Sequence, residues 1–388
     1  GAYSGVKSKR RDLALIYSDE PAAAAAVFTR NVVVAEPIKL ARRNIADGRA
    51  QVLVINSGNA NACTGEQGRR GAEAMVGAAA EALELDPSLV IVASTGIIGR
   101  AFPTDDIVES IHTSAPKLSN LRLAGSLAAN AILTTDTFAK ASYSTFDIGG
   151  VECRMGGIAK GSGMIHPDMA TMLAFIVSDA AIAHPLLDEA LHEAVDESFN
   201  MITVDGDTST NDMVCVLANG LAKNRLIEGR GPDYDCFRRE LGKHCIELAR
   251  QIVADGEGAT KQIQYTVEGA PSDEAARRIA RTVSDSNLVK TAFFGRDPNW
   301  GRIVAAAGRA GVDFDPEKLD LYLGTSKRMH QLLAGGQPVE VERRRIKNMM
   351  RAAFLYVLLD LNLGEGKATA WGTDFSYEYV RINAEYST

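Results

Sequence analysis

Short apolar runs separated by polar, glycine-bearing breaks recur along the whole chain, and they alternate with stretches whose apolar residues return every three or four positions. The runs at 12–17 and 51–56 are rich in Leu, Ile and Val and read as strands. Residues 66–85 form an alanine-rich helix, and 89–94 a further strand that empties into Thr95-Gly96-Ile97-Ile98-Gly99. A helix starts at Pro103 and runs through His112, with Asp105 and Asp106 in the first turn, where the helix dipole favours negative charge. A second series follows: strand 172–177, helix 185–199, strand 213–217, and a helix over 234–254 with Leu, Ile and Val at helical spacing. Near the end, 355–363 and 367–371 flank Gly364-Glu365-Gly366 and read as a strand pair across a glycine turn. The alternation predicts a mixed α/β fold built in layers. Gly-Ala-Pro-Ser at 269–272 marks the expected start of a smaller C-terminal α/β domain, 270–388.

Composition narrows the chemistry. A chain of 388 residues with 46% hydrophobic content has ample core for roughly two or three domains. Lys+Arg 42 against Asp+Glu 49 leaves a net charge of -7, scattered rather than blocked, so neither a nucleic-acid stripe nor a membrane-binding patch is expected. Cys63, Cys153, Cys215, Cys236 and Cys245 are an odd number at unpatterned spacings, which reads as reduced thiols in a cytoplasm, with no metal site. No apolar stretch approaches the roughly 20 residues of a spanning helix. Residue 1 is Gly rather than Met, which leaves the true N-terminus open. The phosphate-loop, dinucleotide, zinc-protease and nucleophile-elbow patterns are all missing. The six histidines stand apart from one another and read mostly as surface or capping residues.

One run carries more information than any other. Lys160-Gly-Ser-Gly-Met-Ile-His-Pro-Asp-Met-Ala-Thr-Met-Leu173 sets a glycine-loosened, proline-containing loop before an Ala170-Thr171 bond and an apolar strand. If that bond breaks, Thr171 gains a free α-amine, which titrates near pH ~7.7–8.0 and can take the proton of its own hydroxyl. Gly161 and Gly163 are expected to allow the backbone angles of a strained peptide, and Pro167 fixes one dihedral. Taken alone, the same run also fits the entry to a buried strand. Six further polar islands lie in apolar surroundings: 56–65, 94–99, 134–137, 204–212, 256–261 and 295–302. Each is ordinary turn and cap chemistry by itself.

Together the blocks resemble the ArgJ family, the glutamate N-acetyltransferases or ornithine acetyltransferases of the arginine pathway. The 160–173 run is similar to that family's processing site, and the blocks at 56–65, 95–99, 205–212, 256–261, 297–302 and Tyr-Val-Arg-Ile-Asn-Ala-Glu-Tyr at 379–386 match in the same order. Asp168 stands where Asn is common, and Thr373 where Cys is frequent.

The resemblance implies a self-processing fold of the ArgJ/DmpA type with an N-terminal nucleophile. It implies cleavage at Ala170-Thr171 into an α chain, 1–170, and a β chain, 171–388, assembled as two α and two β chains. The implied reaction passes the acetyl group of N2-acetyl-L-ornithine to L-glutamate through an acetyl-Thr171 ester. Thr95 and Gly96 correspond to the oxyanion hole, and Thr137, Lys160, Thr171, Glu257, Asn383 and Thr388 to substrate contacts. No cofactor is called for; whether acetyl-CoA serves as an alternative donor stays open. Two other classes remain at this point: an amidohydrolase or aminopeptidase with the same nucleophile, passing the acyl group to water, and a non-catalytic binding protein with Thr171 in a core strand.

Overall fold

The described residues, 1–166 and 172–385 of the computed structural model, fall into two units. The first lies within Gly1–Gly161, Asp168–Asp196 and Thr208–Leu248, and the second within Ser162–Pro167, Glu197–Asp207 and Ala249–Thr388. Among the described residues the first unit holds one seven-stranded sheet: β1 (Leu13–Phe28), β2 (Arg49–Asn59), β3 (Val90–Ile97), β4 (Lys140–Ile148), β5 (Val151–Lys160), β6 (Leu173–Ser178) and β8 (Met213–Ala218). Their spatial order is β3-β2-β1-β8-β6-β5-β4. The β2–β3 and β6–β8 pairs are parallel, and the other neighbours antiparallel.

Alternation along the strands sorts side chains into two cores. Leu13, Leu15, Val52, Val54, Val90 and Val92 pack with Met75, Ile107 and Ile111 from α2 (Gly65–Leu83) and α3 (Thr104–Ser114). The residues between them, Ala14, Leu53, Ile55, Ile91 and Ala93, pack on the other face with Ile38 of α1 (Glu36–Asn44) and Ala128 of α4 (Arg122–Ala131). Each fully buried Val or Leu contributes roughly 1.5–3 kcal/mol, and a one-residue slip would exchange the two sets, so the register is firmly specified. α5 (His184–Asp196) packs against β1.

β1 is longer than the 12–17 run expected from the sequence. A register shift between Tyr17 and Ala22 lets it continue through an alanine-rich stretch that pairs with β8. Alanine is a poor strand former by propensity, but Ala22, Ala24 and Ala25 are buried here, and tertiary packing overrides the local preference.

The second unit's sheet has the order β12-β11-β10-β13-β9-β14-β7. Its strands are β7 (Ile202–Thr203), β9 (Gln262–Ala270), β10 (Asp320–Thr325), β11 (Arg328–Ala334), β12 (Gln337–Pro338), β13 (Phe354–Asp360) and β14 (Gly366–Thr373). The expected hairpin around Gly364-Glu365-Gly366 is corrected. β13 and β14 are both strands, but β9 lies between them, parallel to β13 and antiparallel to β14. α6 (Pro232–Ala254) contains the division between the units, at Leu248 and Ala249. The turn at 269–272 falls inside the second unit and ends in Ser272, whose hydroxyl accepts the Ala275 N–H at 3.2 Å and caps α7 (Asp273–Ser284). α7 buries Ala276, Ile279, Ala280 and Val283 and packs on β9 and β14. α8 (Asn287–Phe294), α9 (Trp300–Gly308), α10 (Arg343–Met349) and α11 (Tyr377–Glu385) complete the described helices. No helix among the described residues is long and apolar enough to cross a membrane.

Candidate active-site residues

Thr95 and Gly96 close β3 where it runs parallel to β2, beside a register shift at Gly58 and Asn59. Gly96 has φ +135°, and a Cβ there would lie 2.4 Å from the Gly58 carbonyl carbon and 2.6 Å from the Asn59 nitrogen. Only glycine tolerates that backbone approach. Gly96 is exposed while Thr95 is buried. The polar islands around this strand end brace it. Asn211 donates to the carbonyls of Ala60 at 2.6 Å and Ser94 at 2.8 Å, and Asn61 donates to the Gly68 carbonyl at 2.8 Å.

Lys160 ends β5 and is buried, and its Nζ donates to the Thr95 hydroxyl at 3.3 Å. In register, Lys160 stands opposite Leu173, the first residue of β6. Asp136, also buried, accepts from Lys140 Nζ at 2.6 Å and from the Gly161 N–H at 2.7 Å. Burial alone would raise the Asp136 carboxyl, but the charges of Lys160 and Lys140 and these hydrogen bonds bring it down to about 2. Thr137 follows on the exposed side of the same segment. Asp212, fully buried ahead of β8, accepts the Met172 N–H at 2.9 Å. Burial pushes its carboxyl well up, against the pull of that N–H and of Lys160.

In the second unit Glu257 is half-buried in the turn after α6, and Asn383 is exposed on α11. Asn383 Nδ2 donates to Glu257 Oε2 at 2.9 Å. The segment 162–166 is tied down in the same unit: the Glu257 N–H donates to the Ser162 carbonyl at 2.9 Å, and the Ser162 hydroxyl to the Asp255 carbonyl at 2.6 Å. Asp205 accepts the N–H groups of Met164 at 2.6 Å and Ile165 at 2.8 Å, and the Tyr379 hydroxyl at 3.1 Å. Burial raises the Asp205 carboxyl, and those donors oppose the rise. Of the two glycines expected to supply unusual backbone angles, Gly161 has φ +156° and Gly163 lies outside the positive-φ region, where Met164, at φ +58°, is found instead.

The structure therefore brings Thr95 to Lys160, and Glu257 to Asn383. Ala170, Thr171 and Thr388 lie outside the described residues. Sequence reasoning gave no individual role to Asp136, Asp205 and Asp212 within its polar islands, and it did not single out Lys140 or His244. That histidine is buried, with Nδ1 2.6 Å from the Ser142 hydroxyl and Nε2 2.7 Å from the Ser144 hydroxyl. Its signal was present: Leu241, His244, Cys245 and Leu248 fall on one face of α6, and all four are buried.

Comparison with known proteins adds a family. A family model described as the ArgJ family matches residues 1–388. The arginine biosynthesis bifunctional protein ArgJ of Symbiobacterium thermophilum is 49% identical over 391 residues, covering 100% of this chain and 96% of the relative. That of Caldanaerobacter subterraneus subsp. tengcongensis is 45% identical over 388 residues, with 100% and 96% covered. The crystal structure of the arginine biosynthesis bifunctional protein from Bacillus halodurans is 42% identical and aligns with a TM-score of 0.52, covering 55% of this chain and 98% of that one.

Proposed function

The chain belongs to the ArgJ family, and from that premise we propose that it is an acyltransferase of arginine biosynthesis that moves the acetyl group of N2-acetyl-L-ornithine to L-glutamate, after cutting its own Ala170-Thr171 bond. In the first stage the Thr171 hydroxyl attacks the Ala170 carbonyl and the peptide C–N bond gives way to an ester. Water then hydrolyses that ester, leaving Ala170 as a carboxylate and Thr171 with a free amine. In the second stage the amine takes the hydroxyl proton as Thr171 Oγ attacks the acetyl carbonyl. The proton passes to the departing amine of ornithine, and the acetyl ester remains on Thr171. The amine of glutamate then attacks this ester, giving acetylglutamate and restoring the hydroxyl.

The observation that carries the proposal is the Thr95–Gly96 strand end with Lys160 upon it. A hydroxyl that accepts from an ammonium group keeps its own proton to donate, and the exposed glycine offers an unobstructed N–H. Donors fixed before the reaction suit a developing oxyanion. Lys160 would meet a substrate carboxylate, Glu257 an ammonium group, and Thr137, Asn383 and Thr388 would complete the contacts.

Intact-mass measurement and a transfer assay test the proposal together. The parent is expected as two chains divided after Ala170, and Thr171→Ala as one uncut chain without transferase activity. Cleavage of Thr171→Ala at the same bond, or production of acetate without acetylglutamate, would overturn it.

A further inference from the structure

Glu257 is set between two glycines, Gly256 facing side chains and Gly258 facing backbone. A Cβ at Gly256 would come within 2.8 Å of Thr373 Cγ2, and one at Gly258, whose φ is +67°, within 2.3 Å of the Tyr379 nitrogen. A third glycine meets the carboxylate itself. A Cβ at Gly163 would lie 2.4 Å from Glu257 Cδ, 2.4 Å from Oε2 and 2.6 Å from Oε1. Those are the three nearest atoms, and all belong to the carboxylate. Gly163 is outside the left-handed region, so its backbone does not call for glycine; what glycine supplies there is space.

The neighbours of Gly163 fix that space. Ser162 is tied to Asp255 through its hydroxyl and to the Glu257 N–H through its carbonyl. Met164 and Ile165 are held by the Asp205 carboxylate, and the Val204 N–H donates to the Ile165 carbonyl at 2.8 Å. The α-carbon of Gly163 thus sits on a segment pinned on both sides, and the Glu257 carboxylate lies against it with Asn383 donating to one oxygen.

We propose that Gly163 is a positioning residue for substrate binding: the missing side chain is the seat of the Glu257 carboxylate, and it sets where that carboxylate meets the ammonium group of the amino-acid substrate. The proposal rests on the reading of Glu257 as the ammonium-binding group. It assigns to the loop before the 170–171 bond a second task, shaping the substrate site, in addition to presenting that bond.

The three atoms nearest an alanine methyl at 163 are the far end of a flexible side chain, so the fold can absorb it by displacing the carboxylate. Gly163→Ala is therefore expected to be processed to two chains by intact mass and to melt close to the parent. Its KM for acetyl-ornithine should rise about tenfold or more, as for loss of one hydrogen bond to a charged group, with kcat changed less than about twofold. Because the residue acts through Glu257, Gly163→Ala/Glu257→Gln should have the KM of Glu257→Gln alone. An unchanged KM in Gly163→Ala beside a raised KM in Glu257→Gln overturns the role of Gly163 and leaves that of Glu257 standing. Additive effects in the double variant overturn it equally. An unchanged KM in Glu257→Gln removes the underlying assignment of Glu257. Should Gly163→Ala fail to fold, Gly163→Ala/Glu257→Ala is expected to fold, since the vacated carboxylate leaves room for the methyl; failure of that pair also overturns the proposal.

Discussion

The two units carry their candidate groups in contrasting ways. In the first, Thr95, Lys160 and Asp136 are buried, fixed to strand ends or their approaches, and balanced by opposite charge. In the second, Glu257 and Asn383 stand half-buried and exposed, on a turn and on a terminal helix, joined by one hydrogen bond. Burial makes charges costly and interactions strong, while exposure makes both weak. The first set is therefore bound up with the stability of the fold, and the second can change with little effect on it.

The strongest test of that contrast is Asp136→Asn. It leaves Lys140 and Lys160 buried beside a neutral group, and breaking a buried pair typically costs about 3–5 kcal/mol. The sign with pH follows from the depressed carboxyl, about 2 in the folded protein against an ordinary ~3.9 unfolded. Its stabilisation is complete above the unfolded value and disappears as pH falls through the folded one. Thermal melts should show the full gap between parent and variant at pH 7, narrowing from about pH 4 towards 2. Equal melting temperatures at neutral pH would erase the distinction between the units.

Next in size is Thr95→Val, which keeps the shape and removes the hydroxyl. Loss of one oxyanion donor typically lowers kcat by about 10²–10³. Steady-state kinetics should show that fall with KM nearly unchanged; a rise in KM alone would point to binding instead. The smallest effect is expected from Asn383→Ala, which removes one exposed donor to Glu257. A hydrogen bond of that kind is worth about 0.5–1.5 kcal/mol, so KM should rise about two- to tenfold with no shift in the thermal melt. A marked loss of stability in Asn383→Ala would place the second unit's pair in the same class as the first.

The elements whose apolar pattern is local were legible in the sequence, and so was the family, through the ordered blocks that the family comparison bears out. β2, β3, β6 and β8 lie where alternating or continuous apolar runs put them. What escaped was non-local. Residues 262–270 insert as β9 between β13 and β14, and nothing in the Gly-Glu-Gly turn announces a strand arriving from about a hundred residues earlier. Asp136 and Lys140 have the spacing of an exposed helical ion pair, yet they are buried ahead of β4 and at its start. Spacing alone does not report depth. Gly163 is expected from the sequence to allow unusual backbone angles because glycine commonly does; the neighbour against it, Glu257, is distant in sequence and unrelated in pattern.

The strand order of the first sheet has a consequence for folding. β6 and β8, which follow residue 171, lie between β1 and β5, which precede it. Across the first sheet a cut at 170–171 would therefore fall along the seams between β1 and β8 and between β5 and β6, leaving β3-β2-β1 and β5-β4 to one product and the β8-β6 pair, with the second sheet, to the other. Before the cut, assembly is unimolecular and each closure costs only the entropy of an intervening loop. After it, the same strands would have to find each other as separate molecules, at a rate set by concentration. The uncut chain would in this sense be the folding template of the cut one, and an enzyme so processed would depend on never fully unfolding.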